Sequence, residues 1–413
     1  MTDTKTYCFG RFLIDLPKAA EVNGQAYEYM FGKIESERFA KGEAAFAQKM
    51  TEREGALRKI KEDDGQSLKE MRQTATKNTY FFRTAENVFK DLDYGFEAYR
   101  LIGSTQFSMR ETHFDKDKID SVLKRLETRL LPNLRTRRAA GGGHAEEIPS
   151  EPGFCIENGY IADDGKTQQY EKAGISFKFK QWPDVTVYIY SRTNGDKVEE
   201  SLLTRRAKAV VPADLLNAEK SIRVLRKGAH NVGAHQGEEI LEAYASGSGF
   251  YVHQFVWDAR GSTHSWSDPV LVFEFETGVN PGSGPQMVRP SLTDKQAIEL
   301  FDSIVNSIRL RPTSPGKTSA AEPNPTGDSG AAKRLPLGTK VSSLRSCPES
   351  GIYECSPDTP GVAERRIFIA QGRPMPSASI MAPKRGVAHF FGAHEPKEVE
   401  TTWTLVAYGQ DKA

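Results

Sequence analysis

Cys8-Phe-Gly-Arg-Phe-Leu-Ile-Asp-Leu-Pro17, near the start of the chain, is echoed far along it by Gly153-Phe-Cys-Ile-Glu-Asn-Gly-Tyr-Ile161. Each stretch is a strand-like apolar run with one cysteine. Each opens a segment that closes in the same manner. A helix starts on an acid–lysine pair (Asp115-Lys-Asp-Lys in one, Thr293-Asp-Lys in the other) and runs into an arginine-bearing end. Those ends are Leu134-Arg-Thr-Arg137 and Ile308-Arg-Leu-Arg-Pro312. The echo predicts an α+β architecture of two related domains, each a mainly antiparallel sheet with two helices. Two such domains side by side suit clasping a partner better than enclosing one catalytic pocket.

The bulk composition narrows the classes. A chain of 413 residues exceeds what one hydrophobic core serves, which predicts two or three domains. With 56 basic and 55 acidic side chains the net charge is +1, without the basic excess that nucleic-acid binding requires. No apolar run approaches the roughly 20 residues of a membrane-spanning helix, so no transmembrane segment is expected. Met-Thr-Asp-Thr-Lys-Thr-Tyr at the start carries no signal-peptide pattern. The readings are therefore a cytoplasmic protein, or a sequence that begins after its export signal.

Periodicity fills in the elements. Phe39, Phe46, Met50, Leu57 and Ile60 recur at about helical spacing and predict a helix over 36–61 with Ser36 as N-cap. Strands are expected at 67–74, 79–84, 97–102 and 106–112, then a helix striped by Ile119, Val122, Leu123, Leu126 and Leu130 that ends at Pro132. The Gly-rich run around Gly141–Gly143 reads as a hinge. Strands at 175–180 and 185–190, a helix over 198–209, and strands at 221–226, 238–244, 251–257 and 270–276 follow. A last helix carries Ile298, Phe301, Ile304, Val305 and Ile308 on one face. The resulting domains are 1–138 and 151–312, with 139–150 as linker. Residues 313–335 read as a disordered linker and 336–413 as a small β-rich module.

Motifs of chemistry are sparse. Ser246-Gly-Ser-Gly249 lacks the spacing of a nucleophile elbow, and no phosphate loop or dinucleotide fingerprint occurs. Asp115–Asp120 lacks the glycine and glutamate of a calcium loop and reads as a helix start. His230 and His235 with Glu238 and Glu239 read as an exposed turn, the alternatives being a metal site or an unrecognised hydrolase centre. Cys347 and Cys355, eight residues apart, are candidates for a disulfide-closed turn. A zinc site with His389 and His394 is disfavoured by that long step. Cys8 and Cys155 are either a pair tying the two domains or two buried thiols. Trp266, set among serines, is either a partner-contact anchor or a cap on a sheet edge. No catalytic group, cofactor or metal is expected.

The ordered set of Cys8–Pro17, Gly153-Phe-Cys-Ile-Glu-Asn-Gly, Leu225-Arg-Lys-Gly228, Gly237-Glu-Glu239, Ser291-Leu-Thr-Asp and Ser307-Ile-Arg-Leu-Arg-Pro312 resembles the immunity proteins of type VI secretion lipase effectors. The resemblance covers residues 5–312 or thereabouts. It implies a non-enzymatic antitoxin of Gram-negative bacteria that grips a lipase, or phospholipase, effector through protein–protein contacts. Such a lipase inhibitor blocks substrate access to the active site and waits in the periplasm. The other class that fits is a non-enzymatic envelope protein binding another protein or a lipid.

Overall fold

The computed structural model describes residues 3–30, 32–88, 91–138, 146–208, 222–246, 249–282 and 286–313, and parts of 335–408. The chain begins with a hairpin, β1 (Thr4–Phe9) and β2 (Phe12–Pro17), turned at Gly10. That glycine sits at φ +53°, and a Cβ there would meet Ala173 at 2.9 Å, so only glycine fits. Two strands follow, β3 (Ala20–Tyr29) and β4 (Gly32–Arg38), then helix α1 (Gly42–Lys59). Next come β5 (Ser67–Gln73), β6 (Thr79–Val88), β7 (Asp91–Ile102), β8 (Thr105–Phe114) and helix α2 (Lys116–Arg125). A π turn and a 3-10 turn prolong α2 through Pro132 and deliver β9 (Leu134–Thr136).

The same order then repeats. The second hairpin is β10 (Gly153–Ile156) and β11 (Gly159–Ala162); β12 (Glu171–Phe179), β13 (Thr186–Arg192) and helix α3 (Leu202–Lys208) follow. Four strands, β14 (Ile222–Ala229), β15 (Gly237–Ala245), β16 (Tyr251–Ala259) and β17 (Val270–Glu276), lead to helix α4 (Asp294–Val305) and β18 (Arg309–Leu310). A capping box starts α4: the Thr293 hydroxyl accepts from the Gln296 backbone N–H while the Gln296 side chain accepts from the Thr293 N–H.

Twelve strands join in one antiparallel sheet, in the order β14-β15-β16-β17-β13-β12-β3-β4-β8-β7-β6-β5. Read outward from its centre, each half shows the same succession, so the repeat is an approximate two-fold about the β3–β12 seam. That seam is continuous from Glu171↔Tyr29 to Phe179↔Ala20, with a bulge at Ser176/Phe177.

The closing strands cross over. β18 pairs with β2 (Arg309↔Leu13, Leu310↔Phe12), and β9 pairs with β11 (Arg135↔Tyr160, Thr136↔Gly159). Each half thus completes the hairpin that opens the other. The echoed arginines explain themselves here. Arg137 is buried and donates to the carbonyls of Ile156 (3.0 Å) and Gly159 (3.2 Å), with Glu146 as its ion partner. Arg311, equally buried, donates to Glu151 O (2.8 Å), Gly153 O (2.9 Å) and the Tyr160 hydroxyl (2.9 Å). These buried guanidinium groups are tolerated because their terminal nitrogens find carbonyls left over by the hairpin turns, although the Arg311 Nε has no partner among the described residues.

The inner face of the sheet holds the core. α4 presses Phe301 against Phe255, Phe273 and Phe275, while Ile119 of α2 and Leu126 of the π turn after it join Phe96, Phe107 and Met109 in the core. One cluster of buried side chains spans both halves. The two related halves expected from the sequence are both present, and they share a sheet, a core and exchanged strands. Residues 139–145, with the glycines read as a hinge, lie outside the described residues.

Two further expectations change. Ser36 does not cap a helix; it lies in β4, and α1 begins at Gly42. Phe39 still packs with the helix, its ring 5.8 Å from Phe46, but from the loop before it. Residues 314–334 of the expected linker at 313–335, and Ala209 at the end of the expected 198–209 helix, fall outside the described residues.

The last part of the chain forms a four-stranded sheet of β19 (Lys340–Ser342), β20 (Gly351–Cys355), β21 (Arg366–Ile369) and β24 (Thr402–Tyr408). A separate pair, β22 (Ala378–Pro383) and β23 (His394–Val399), lies beside them in sequence. Tyr353, Trp403 and Leu405 are its core. Arg345 ties this module to the body by reaching Asp93 (3.3 Å) and Asp115 (3.7 Å).

Candidate partner interface

On the outer face of the sheet two helices stand apart. α1 covers β5, β6 and β7: Phe46, Met50 and Leu57, spaced for one helix face, bury against Tyr80, Phe82 and Leu101. Arg53 adds a two-pronged contact to Glu97 on β7 (2.9 and 2.5 Å). α3 stands over β15 and β16 at the other end, held by polar contacts. Arg205 pairs with Asp258 at 2.5 Å, Arg206 with Glu242 at 3.5 Å, and the Leu203 N–H donates to Glu238 at 2.8 Å.

Between these walls lies a floor made by β13, β12, β3, β4 and β8. Strand alternation sends Ile175, Phe177, Val187 and Ile189 to the core and Lys172, Gly174, Ser176, Tyr188 and Tyr190 outward. The middle of the floor is small and neutral: Ala26 opposes Gly174, and Gly24 opposes Ser176. Tyr188, 37% exposed, leans across so closely that a Cβ on Gly174 would stand 2.7 Å from its hydroxyl. Its ring lies 5.8 Å from that of Tyr190. Burial pushes the Tyr190 phenol up to about 12, so both tyrosines remain neutral donors at physiological pH. Ionic pairs border the β3 and β4 side, Glu28 with Lys172 (3.0 Å) and Glu35 with Lys33 (2.6 Å) and Arg110 (2.9 Å).

Rigid tyrosines with two torsions apiece stand on small residues, as in protein-binding loops of other architectures. Five strands at about 4.8 Å spacing and seven residues at about 3.3 Å give a floor of some 500–600 Å². With its two walls it approaches the ~800 Å² per partner of a standard interface.

At the α1 edge of the floor a cavity of about 360 Å³ opens among Gln66, Thr84, Phe96, Glu97, Arg110, Glu111 and Thr112. Gly95 keeps it open, since a Cβ there would meet the Gln66 side-chain oxygen at 2.8 Å.

The residues singled out from the sequence distribute as follows. Cys8 and Cys155 form a disulfide with Cα atoms 6.0 Å apart, joining equivalent positions of the two hairpins. Gly10 and Cys155 exchange both backbone hydrogen bonds beside it. Cys347 and Cys355 do not pair, which corrects the expected closed turn. Both are buried free thiols: the Cys347 sulfur turns to Glu349 O (3.0 Å), the Cys355 sulfur to the Thr401 hydroxyl (3.3 Å). Extended β20 separates them, at about 3.3 Å per residue. His389 lies outside the described residues.

Trp266 is not an exposed anchor. It is half-buried, with the Arg11 guanidinium stacked 4.4 Å from its ring centre, and Arg11 is itself held by Glu171 and Asp163 at 2.5 Å each. The expected exposed turn at 230–239 is also corrected. His235 is buried against Asp268, and Glu238 receives α3. His230, Glu239 and Asp302 bring ligand atoms within 4.8 Å of one another. There Arg226 already bridges both carboxylates and His230 bonds Glu239 (2.6 Å), so a cation is in place. Sequence reading missed a Thr277–His253–Asp294 line, with both bonds 2.9 Å. It resembles a nucleophile, base and acid, but the Thr277 hydroxyl is buried and accepts the His253 backbone N–H, so it braces β16 against α4.

Comparisons with known proteins now bear on this geometry. Residues 5–135 match the family model "Tle cognate immunity protein 4 N-terminal domain", and residues 147–313 match that of the C-terminal domain. No curated protein matches the chain. The apo immunity protein TplEi of the T6SS from Pseudomonas aeruginosa is similar at 30% identity and TM-score 0.62, over 75% of this chain and 98% of that one. The same protein complexed with "L" peptide gives 30%, 0.59, 76% and 99%. A chain of the Tle4–Tli4 complex gives 28% identity and TM-score 0.63 over 76% of this chain and 99% of that one. The matched residues carry both halves of the twelve-stranded sheet and its exchanged hairpins, and the chain belongs to the Tle cognate immunity protein 4 family.

Proposed function

We propose that the protein is a non-catalytic antitoxin that binds its cognate Tle lipase effector in the periplasm and blocks substrate access to the effector's active site. The observation that carries this reading is the ordered match of both halves to the immunity family, together with the likeness to a chain solved in the Tle4–Tli4 complex. The outer floor supports it as the docking surface, because inhibition by occlusion needs area and complementarity and no reacting group. The Cys8–Cys155 disulfide fits an oxidising compartment. The residue ranges 1–138 and 151–312 serve as the two related domains of this reading, acting as one rigid body.

The test is co-expression of the periplasm-directed cognate effector with this chain or without it. Growth only in its presence, and loss of lipase activity in the purified mixture, are expected. Tyr188→Ala with Tyr190→Ala should remove protection while the chain stays folded. Lysis despite confirmed periplasmic expression would overturn the antitoxin reading, and full protection by the double variant would move the docking surface elsewhere.

A further inference from the structure

The cavity beside α1 holds one charge more than its surroundings match. Glu97 is engaged by Arg53 and by the Tyr99 hydroxyl (2.7 Å), and Arg110 reaches Glu35 at 2.9 Å. Glu111 accepts the backbone N–H of Thr112 at 3.1 Å, and among the described residues no ion pair includes it. Burial at the cavity wall raises its carboxyl above the usual range, opposed by the Thr112 N–H and the nearby His113. Part of the remaining lining suits a cation on an apolar stem, and the lining's own cation, Arg110, is engaged by Glu35. Phe96 offers a wall for methylenes, and the hydroxyls of Thr84 and Thr112 offer acceptor oxygens. The cavity's outer lip is Arg110 on β8, next to β4 in the floor, so a partner lying on the floor has direct access.

We propose that this cavity seats a lysine or arginine side chain of the cognate effector, with Glu111 as its counter-charge. The proposal rests on the effector-binding reading above and makes it more specific. An anchor side chain entering a pocket beside a flatter surface is the usual source of an interface's affinity. A charge left unmatched in the free protein is what such an anchor would neutralise.

The test compares the full chain and its Glu111→Gln variant in titrations against the purified effector, at low and high salt. The variant should bind about tenfold or more weakly, with a shallower salt dependence. Its own thermal midpoint should be unchanged or higher, because an unmatched carboxylate has been removed. Scanning the effector's exposed Lys and Arg to Ala should then find one position whose loss makes wild type and variant bind alike. Equal affinity of wild type and Glu111→Gln, or a scan without such a position, would overturn the proposal while leaving effector binding intact. Failure of the wild-type chain to bind at all would instead overturn the reading beneath it.

Discussion

α1 and α3 stand at corresponding places in the two halves of one sheet, yet they are attached by different forces. α1 has 18 residues and buries Phe46, Met50 and Leu57 in an aromatic cluster. The described α3 has 7 residues and buries none; arginines and a backbone N–H on carboxylates hold it. Both helices use an arginine on a carboxylate of the corresponding strand, Arg53 on Glu97 in β7 and Arg205 on Asp258 in β16. The outcomes are opposite. Burial raises both carboxyls, but Arg53 and Tyr99 outweigh it at Glu97 and hold that group below the usual range. At Asp258 burial wins, and one of its oxygens is buried with no partner. Topology repeats; the energetics of the walls do not. One wall of the floor is therefore held by a buried apolar cluster and the other by polar contacts.

The largest test of this contrast concerns what unites the halves. Replacing Cys8 and Cys155 by serine removes a cross-link spanning 147 residues, expected to cost as much as about 5 kcal/mol from unfolded-state entropy. Because the seam and the exchanged strands persist, denaturation followed by circular dichroism and by fluorescence should still show one shared transition for residues 4–310. Two separate transitions would mean that the halves are independent domains after all.

Next in size, Phe46→Ala should cost about 3–5 kcal/mol, whereas Leu203→Ala in α3 should cost under ~1 kcal/mol. Chemical denaturation of the two variants decides it, and similar costs would erase the difference between the walls.

The smallest effect is in pH. Glu97 has a depressed folded value, so its stabilisation is present above the unfolded value of about 4.3 and fades as pH falls through the folded one. Asp258 has a raised folded value, so its ionisation costs nothing below about 3.9 and the cost is complete only above the folded value. Glu97→Gln should therefore lower the thermal midpoint at pH 7 and matter less near pH 3. Asp258→Asn should leave the midpoint unchanged or raise it at pH 7, with the difference vanishing near pH 3. Matching pH profiles for the two variants would refute the asymmetry.

Much of this architecture is legible in the chain. The strands β5 to β8 and β14 to β17, with helices α2 and α4, stand out because one face of each is apolar at the right period. β3 and β4 do not. Their outward residues form the uncovered floor, so Ala-Glu-Val-Asn-Gly-Gln-Ala-Tyr-Glu-Tyr reads as polar, with Asn23-Gly24 resembling a turn. The very exposure of their outward face removes the signal that would have found them. The cavity was equally hidden, since Gln66, Thr84, Glu97 and Glu111 come from four different segments. Trp266 misled for the converse reason: its neighbours in sequence are serines, while its neighbour in space is Arg11, 255 positions earlier.

The chain's local patterns fix its period-two and period-3.6 elements, its internal repeat and its family, because each is built of short motifs whose side chains lie a few positions apart. Folding in three dimensions alone selects the long-range pairings. β3 is set against β12, β18 completes the first hairpin, and Ser307 caps the backbone N–H of Asp15 across 292 positions. Those choices turn on which apolar faces can be buried together and which buried arginines find carbonyls. Both are properties of packing between distant segments, and no short window of residues contains them.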